Sequence, residues 1–188
     1  RQLFAGNGNN TADWQLAAAV TGVLHDFTVI TGGPGTGKTT TVAKILAILF
    51  ATDPALKVAL VAPTGKAAAR MAESLRNAAM DDAAREKFGQ LQPATIHRLL
   101  KPVNGTPYFR HNSSNPLNYD VVIADESSMI DVALFAKLLD AIHPGTRLIL
   151  LGDKDQLASV EAGSLFGDLC QALESNFFTA ERRAFINS

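Results

Sequence analysis

The 188-residue chain has one cysteine, one tryptophan and two tyrosines. A single thiol excludes an internal disulfide and a thiolate metal cluster, and the spacing of Cys170 with Phe166, Leu169 and Leu173 assigns it to the apolar face of a helix, as a core residue. The four histidines, His25, His97, His111 and His143, lack H-x-x-x-H or C-x-x-C partner spacing, which argues against a zinc site. No apolar run, the opening "RQLFAGNGNN" included, approaches the length needed to span a bilayer. No membrane partner is therefore expected, and a reducing cytoplasm is the expected setting. Charge of one sign is missing too: 17 Lys and Arg against 18 Asp and Glu leave a net charge of -1. No global basic field favours nucleic acid, so any such binding would come from a local groove. What remains, 47% hydrophobic and 19% charged residues, is an ordinary globular composition, long enough for one domain spanning 1–188 with its own core.

Four short apolar runs recur: "FTVI" from Phe27, "VALVA" from Val58, "VVIA" from Val121 and "RLILL" from Arg147. They are continuous rather than alternating, as expected for strands covered on both faces of a parallel sheet. Helical stripes lie between them: Val42, Ile45, Leu46 and Leu49; Ala68, Met71, Ala72 and Leu75; Phe135, Leu138, Leu139 and Ile142. The alternation predicts an α/β three-layer fold with a mainly parallel sheet. Ligands of such sheets collect at the carboxyl ends of the strands. The segments that follow the four runs, the glycine loop, "PTGKAA", "DESS" and "GDKDQ", are thus expected to converge. The polar, turn-rich stretch at about 101–119 reads as a loop or small hairpin insertion.

The first of these segments, "GGPGTGKTTT", places Gly32, four residues, Gly37, Lys38 and Thr39 in the G-x-x-x-x-G-K-[ST] pattern of a phosphate-binding loop, with strand before and helix after. Glycines there permit close approach of something bulky to the backbone. Backbone N–H groups and the helix N-terminus face an anion. Lys38 is expected to reach the β and γ phosphates, and the Thr39 hydroxyl to ligate Mg²⁺. Directly after "VVIA", Asp125 and Glu126 form a carboxylate pair. A carboxylate at the end of a buried strand is costly unless paired with a cation, so Asp125 is the expected Mg²⁺ partner. Glu126, pointing the other way if strand alternation continues, could polarise an attacking water. Each acid alone is also compatible with a helix N-terminus before "MIDVALF", with Asp131 as a further cap. Past the fourth run, Asp153 and Gln156 are presented together, and the neutral amide of Gln156 suits contact with a terminal phosphate or a water; a solvated turn is the plainer alternative. Upstream, "NTADWQLAAAV" starts a helix capped by Asn10 or Thr11, with Trp14 expected in the core and Gln15 able to pair with an adenine edge.

Taken in order, "GGPGTGKTTTVAKIL", "APTGKAAARMAESL", "TIHRLL", "VVIADESSMID" and "LGDKDQLASVEAG" resemble the RecD family of superfamily 1 DNA helicases, whose namesake is the alpha subunit of exodeoxyribonuclease V, the RecBCD complex. The resemblance runs from about Trp14 to Ala184. It implies a RecA-like P-loop NTPase fold and a motor domain of a 5′-to-3′ helicase that uses ATP and Mg²⁺ in double-strand-break processing and recombinational repair. By this resemblance Gln15 contacts adenine; Gly33, Pro34, Gly35, Thr36, Gly37, Lys38, Thr39 and Thr40 hold the phosphates; Asp125 and Glu126 serve Mg²⁺ and water activation; Gln156 senses the γ phosphate. Thr64, Lys66, Thr95 and His97 carry over as contacts to single-stranded DNA. Thr95 could equally cap the short helix "IHRLLK".

RecD helicases hold the nucleotide between two motor domains, with arginines from the second. The chain is therefore expected to be a first motor domain whose partners are single-stranded DNA, a second motor domain of the same parent, and the RecB and RecC subunits. Arg182 and Arg183 cannot be assigned as the completing arginines. A P-loop phosphotransferase, a GTPase or a non-catalytic nucleotide-binding assembly module would share the glycine loop. The missing N-K-x-D guanine motif argues against the GTPase, and Glu126 beside Asp125 favours water as acceptor. No spaced acidic and lysine set outside the ATP site suggests nuclease chemistry.

Overall fold

A computed structural model describes residues 14–79, 81–156 and 165–172. Five strands form one all-parallel sheet: β1 (Phe27–Thr31), β2 (Val58–Ala62), β3 (Pro93–Thr95), β4 (Val121–Ala124) and β5 (Arg147–Gly152), in the spatial order β1-β5-β4-β2-β3. The helices are α1 (Trp14–Leu24), α2 (Lys38–Thr52), α3 (Gly65–Asn77), α4 (Asp82–Gln90), α5 (Ile96–Leu100), α6 (Val132–Ala141) and α7 (Leu165–Ala172).

Alternation of side chains along each strand divides the core in two. Ile30, Val58, Leu60, Val121, Ile123, Ile149 and Leu151 face α1 to α4. Ala59, Val61, Val122, Ala124, Leu148 and Leu150 face α5, α6 and α7. The sheet is thus covered on both faces, which is why β2 and β4 are buried along their whole length and read as unbroken apolar runs. Edge strand β1 differs: it alternates, and Phe27 at its start is exposed.

The first two helical stripes are buried as expected on α2 and α3. On α6 the buried set is Leu134, Phe135, Leu138 and Ala141, whereas Leu139 is exposed and Ile142 follows the helix as its C-cap. Asp131 caps the start of α6 by accepting from the Leu134 N–H at 2.8 Å, and the face that packs into the core is the one carrying Leu134 and Ala141 beside Phe135 and Leu138. Trp14, expected in the core, is 60% exposed. Cys170 is half-buried against the α5–α7 side of the core, and burial pushes its thiol up, with opposition from the Thr31 hydroxyl and Lys154. Leu173, Asn10, Thr11, Arg182 and Arg183 lie outside the described residues.

Two elements were not visible as periodic patterns. Strand β3 is three residues long and begins with proline, tolerated because it occupies a sheet edge. Helix α4 buries only Phe88, so it carries no stripe; its cap Asp81 accepts from the Ala84 N–H at 2.7 Å. Between α5 and β4, antiparallel bridges pair Pro102 with Phe109 and Asn112 with Asn115, making a small hairpin.

Ile123 in the middle of β4 is fully buried. Ile123→Ala is expected to destabilise the protein by about 2–5 kcal/mol, read as a lower denaturation midpoint in urea with an unchanged slope.

Candidate nucleotide-binding site

The glycine loop joins β1 to α2 through backbone that only glycine adopts readily: Gly35 has φ 76° and Gly37 φ 85°. No side chain caps the start of α2. The first amides of a helix have no intrahelical partner, so those of Lys38, Thr39 and Thr40 are suited to an anion. Part of the glycine requirement is internal rather than for a ligand. A Cβ at Gly32 would lie 2.6 Å from the Thr36 hydroxyl, and one at Gly37 would lie 2.5 Å from Gln15 Nε2. Gln15 of α1 therefore rests against the loop backbone. The Lys38 ammonium donates to the Gly32 carbonyl and, at 3.0 Å, to that of Gly33, so the cation is held across the loop. Gly33 itself serves through its carbonyl, which also accepts from Thr36 Oγ1 at 2.9 Å.

A cleft of about 310 Å³ opens beside the loop. It is lined by Pro34, Gly35, Lys38 and Thr39 of the loop and α2, by Asp125 and Glu126 after β4, and by Asp153 and Gln156 after β5. Thr36, Gly37 and Thr40 line an adjoining cleft that shares Gly35, Lys38 and Thr39. Glu126 departs from the expected strand alternation. β4 ends at Ala124, and Glu126 has φ 51° and ψ 38° in the left-handed region, opening a 3₁₀ turn at Ser127–Met129. That turn places both acids at one cleft instead of on opposite faces.

Burial raises the Asp125 carboxyl above its usual value, and the neighbouring Glu126 charge adds to this; the Glu126 N–H, which donates to Asp125 Oδ1 at 2.8 Å, and the charges of Lys38 and Arg70 oppose it. A buried acid of this kind is eased by a cation. Mg²⁺ fits, since Asp125 and Thr39 share the cleft and this ion takes one or two protein ligands besides phosphate oxygens and water. Among the described residues no cluster of three His, Cys, Asp or Glu side chains forms a self-sufficient metal cage.

Sequence reasoning missed several cleft residues. Ser128 donates its hydroxyl to Gln156 Oε1 at 3.0 Å, which leaves the amide N–H₂ end of Gln156 as its available donor. Arg70 and Ser74 reach the cleft from α3, and Asn77 reaches the adjoining one. Arg70 and Ser74 fall inside the quoted stretch "APTGKAAARMAESL" but follow no strand end directly, and their helical spacing from the buried stripe of α3 is the signal that could have found them. The turn chemistry at Asp153 is also present: its Oδ1 accepts from the Asp155 N–H at 3.0 Å.

The residues put forward for DNA lie elsewhere on the same sheet edge. Thr64 and Lys66 follow β2, and Thr95 and His97 follow β3; the two strands pair, Ala62 opposite Thr95. Both threonines act as caps, Thr64 accepting from the Ala67 N–H at 3.2 Å and Thr95 from the Arg98 N–H at 3.1 Å. The ring of exposed His97 packs on Phe109 of the hairpin, with centroids 5.7 Å apart. None of the four lines the nucleotide cleft.

A family model described as an AAA domain matches residues 15–162. The chain belongs to the AAA domain family. It is 48% identical over 167 residues to the RecBCD enzyme subunit RecD of Haemophilus influenzae, covering 85% of this chain and 26% of that protein. It is 45% identical over 148 residues to the ATP-dependent RecD2 DNA helicase of Deinococcus radiodurans, covering 79% of this chain and 18% of that one. The resemblance drawn from the motifs therefore extends over most of the sequence, while the chain spans about a quarter of the length of its RecD relatives. Among solved structures, a mutant ATPase domain of a Thermus phage large terminase matches with a TM-score of 0.51 at 16% identity, over 93% of this chain and 75% of that one. That likeness concerns the fold, which is of the RecA-like P-loop kind. Among the described residues no helix is long and apolar enough to cross a membrane.

With divalent cations removed, Asp125→Asn is expected to raise the thermal midpoint at neutral pH. The native pKa of Asp125 is raised, so the wild type loses stability as pH rises through it, and the uncharged variant does not. The advantage shrinks on acidification and is gone below the ordinary carboxylate range. Midpoints measured from neutral to acid pH that run parallel for both proteins would contradict a buried charge at Asp125.

Proposed function

We propose that this chain is the first motor domain of a RecD-type, ATP-dependent 5′-to-3′ DNA helicase that acts in double-strand-break processing and recombinational repair. The observation that carries this reading is the meeting, in one cleft at the ends of three adjacent parallel strands, of Lys38 and Thr39, Asp125 and Glu126, and Gln156.

In this reading Gln15 contacts the adenine and Gly33 to Thr40 cradle the phosphates, with the Lys38 ammonium facing the β and γ groups. Thr39 and Asp125 hold Mg²⁺, which supplies charge neutralisation on the phosphate oxygens when bound. Glu126 takes the proton of the attacking water. Gln156, its carbonyl engaged by Ser128, presents its amide hydrogens to the terminal phosphate and reports its loss. Thr64, Lys66, Thr95 and His97 track single-stranded DNA along the neighbouring half of the sheet edge. Hydroxyls and a few cations suffice for such a surface, which does not read sequence. A second motor domain in the parent supplies the remaining wall of the ATP site, and assembly with RecB and RecC is proposed from the likeness to the Haemophilus RecBCD enzyme subunit.

Glu126→Gln in the full-length protein should leave Mg²⁺-ATP affinity within about twofold while lowering turnover about a hundredfold or more, because an amide cannot accept the proton. Unchanged steady-state phosphate release in this variant would move the base elsewhere. Residues 1–188 alone should bind ATP but hydrolyse it roughly a thousandfold more slowly than the full-length protein, since arginines from across a domain interface would be missing. Equal DNA-stimulated turnover of the two proteins would mean that the site is complete within this chain.

A further inference from the structure

Helix α3 also lines the cleft, through one longitudinal stripe. Ala67, Arg70, Met71 and Ser74 line the main cleft, and Ser74 and Asn77 the adjoining one, at spacings of three and four residues. Arg70 is the only cation in that stripe. It is exposed, and among the described residues its guanidinium makes no hydrogen bond and no ion pair. An arginine that shares a cleft with two carboxylates, Asp125 and Glu126, yet bonds neither, is available for another anion.

The charge of the cleft points the same way. Lys38 and Arg70 stand against Asp125, Glu126 and Asp153, so the lining is net acidic before any ligand enters. A polyphosphate bearing several negative charges is favoured in such a lining by each cation that faces it, beside the loop amides and bound Mg²⁺. The Lys38 ammonium is tied to the Gly32 and Gly33 carbonyls at the loop. Arg70, an exposed five-donor fork, lines the same cleft as Glu126 and Gln156, where the terminal phosphate would lie in the reading above.

We infer that Arg70 is a phosphate-contacting residue of this site, which binds the γ phosphate of ATP from within the same domain and so distinguishes the triphosphate from the diphosphate. The inference deepens the ATPase reading and rests on it. The arginine is separate from any supplied by a second motor domain.

The test compares binding of Mg²⁺-bound ADP and of a non-hydrolysable Mg²⁺-ATP analogue to the full-length protein by calorimetry, for wild type, Arg70→Ala, Arg70→Lys and Lys38→Ala. Arg70→Ala is expected to weaken the triphosphate about tenfold or more and ADP by no more than about twofold, with Arg70→Lys recovering part of the loss. Because Arg70 is exposed, the ligand-free thermal midpoint should stay close to wild type; if Arg70→Ala does not fold, Arg70→Gln carries the same comparison. Equal losses for both nucleotides, or no loss for either, would overturn the inference. Lys38→Ala separates this from failure of the underlying reading: it should weaken both nucleotides, and full affinity for both in that variant would mean that the cleft is not the nucleotide site at all.

Discussion

The parallel register of β5 between β1 and β4 is the constraint on which the site depends. Phe27 to Thr31 pair with Leu148 to Gly152, and Val121 to Ala124 pair with Arg147 to Leu150. Three strand ends are thereby held side by side, carrying the glycine loop, the carboxylates and the glutamine. Hydrogen bonds extend the alignment beyond the strands. The Gly32 N–H donates to the Gly152 carbonyl at 3.2 Å, the Lys154 N–H to Thr31 Oγ1 at 3.3 Å, and the Asp125 N–H to the Val61 carbonyl at 2.8 Å. Close packing reinforces them: a Cβ at Gly152 would lie 2.7 Å from the ring of Phe166, so α7 seats directly on the end of β5. A slip of one residue would turn every β5 side chain to the opposite face and would displace Gln156 from Ser128.

Two consequences follow for the energetics. The apolar residues of the sheet are buried on both sides, which supplies stability well away from the strand ends. The strand ends can then carry groups that stability alone would not select: a carboxylate raised by burial, a left-handed glutamate, glycines with positive φ and an arginine with no ion-pair partner among the described residues. Such features cluster where a ligand with opposite charge would compensate them.

The same sheet edge divides into two halves. β1, β5 and β4 lead to the nucleotide cleft, and β2 and β3 lead to the segments put forward for DNA. Helix α3 belongs to both. Its capping residue Thr64 stands with the second group, and Arg70 and Ser74, nearly two and nearly three turns further on, stand with the first. A rigid helix that touches two sites is the kind of element through which occupation of one site can bias the other.

Much of this was legible in the sequence, for identifiable reasons. The glycine loop is local: its backbone, its cation and its helix start occupy consecutive positions, so spacing alone defines it. The four long strands declared themselves because burial on both faces demands unbroken apolar residues, and Asp125, Glu126 and Gln156 stood out because they follow those runs directly. Other features depended on contacts that no local pattern carries. Strand β3 is too short to show a period, the face of α6 that packs into the core is the one carrying Leu134 and Ala141, and Trp14 proved to be exposed. Glu126 turned toward the cleft because the strand ended at Ala124, two residues before the position at which alternation was expected to hold. The sequence by itself determined which residues could bind phosphate and that they would stand at strand ends, because both are properties of consecutive residues. Only the tertiary structure decided that Ser128 bonds Gln156 and that Arg70 shares a cleft with Lys38, because those pairings depend on strand order and helix docking between segments far apart in the chain.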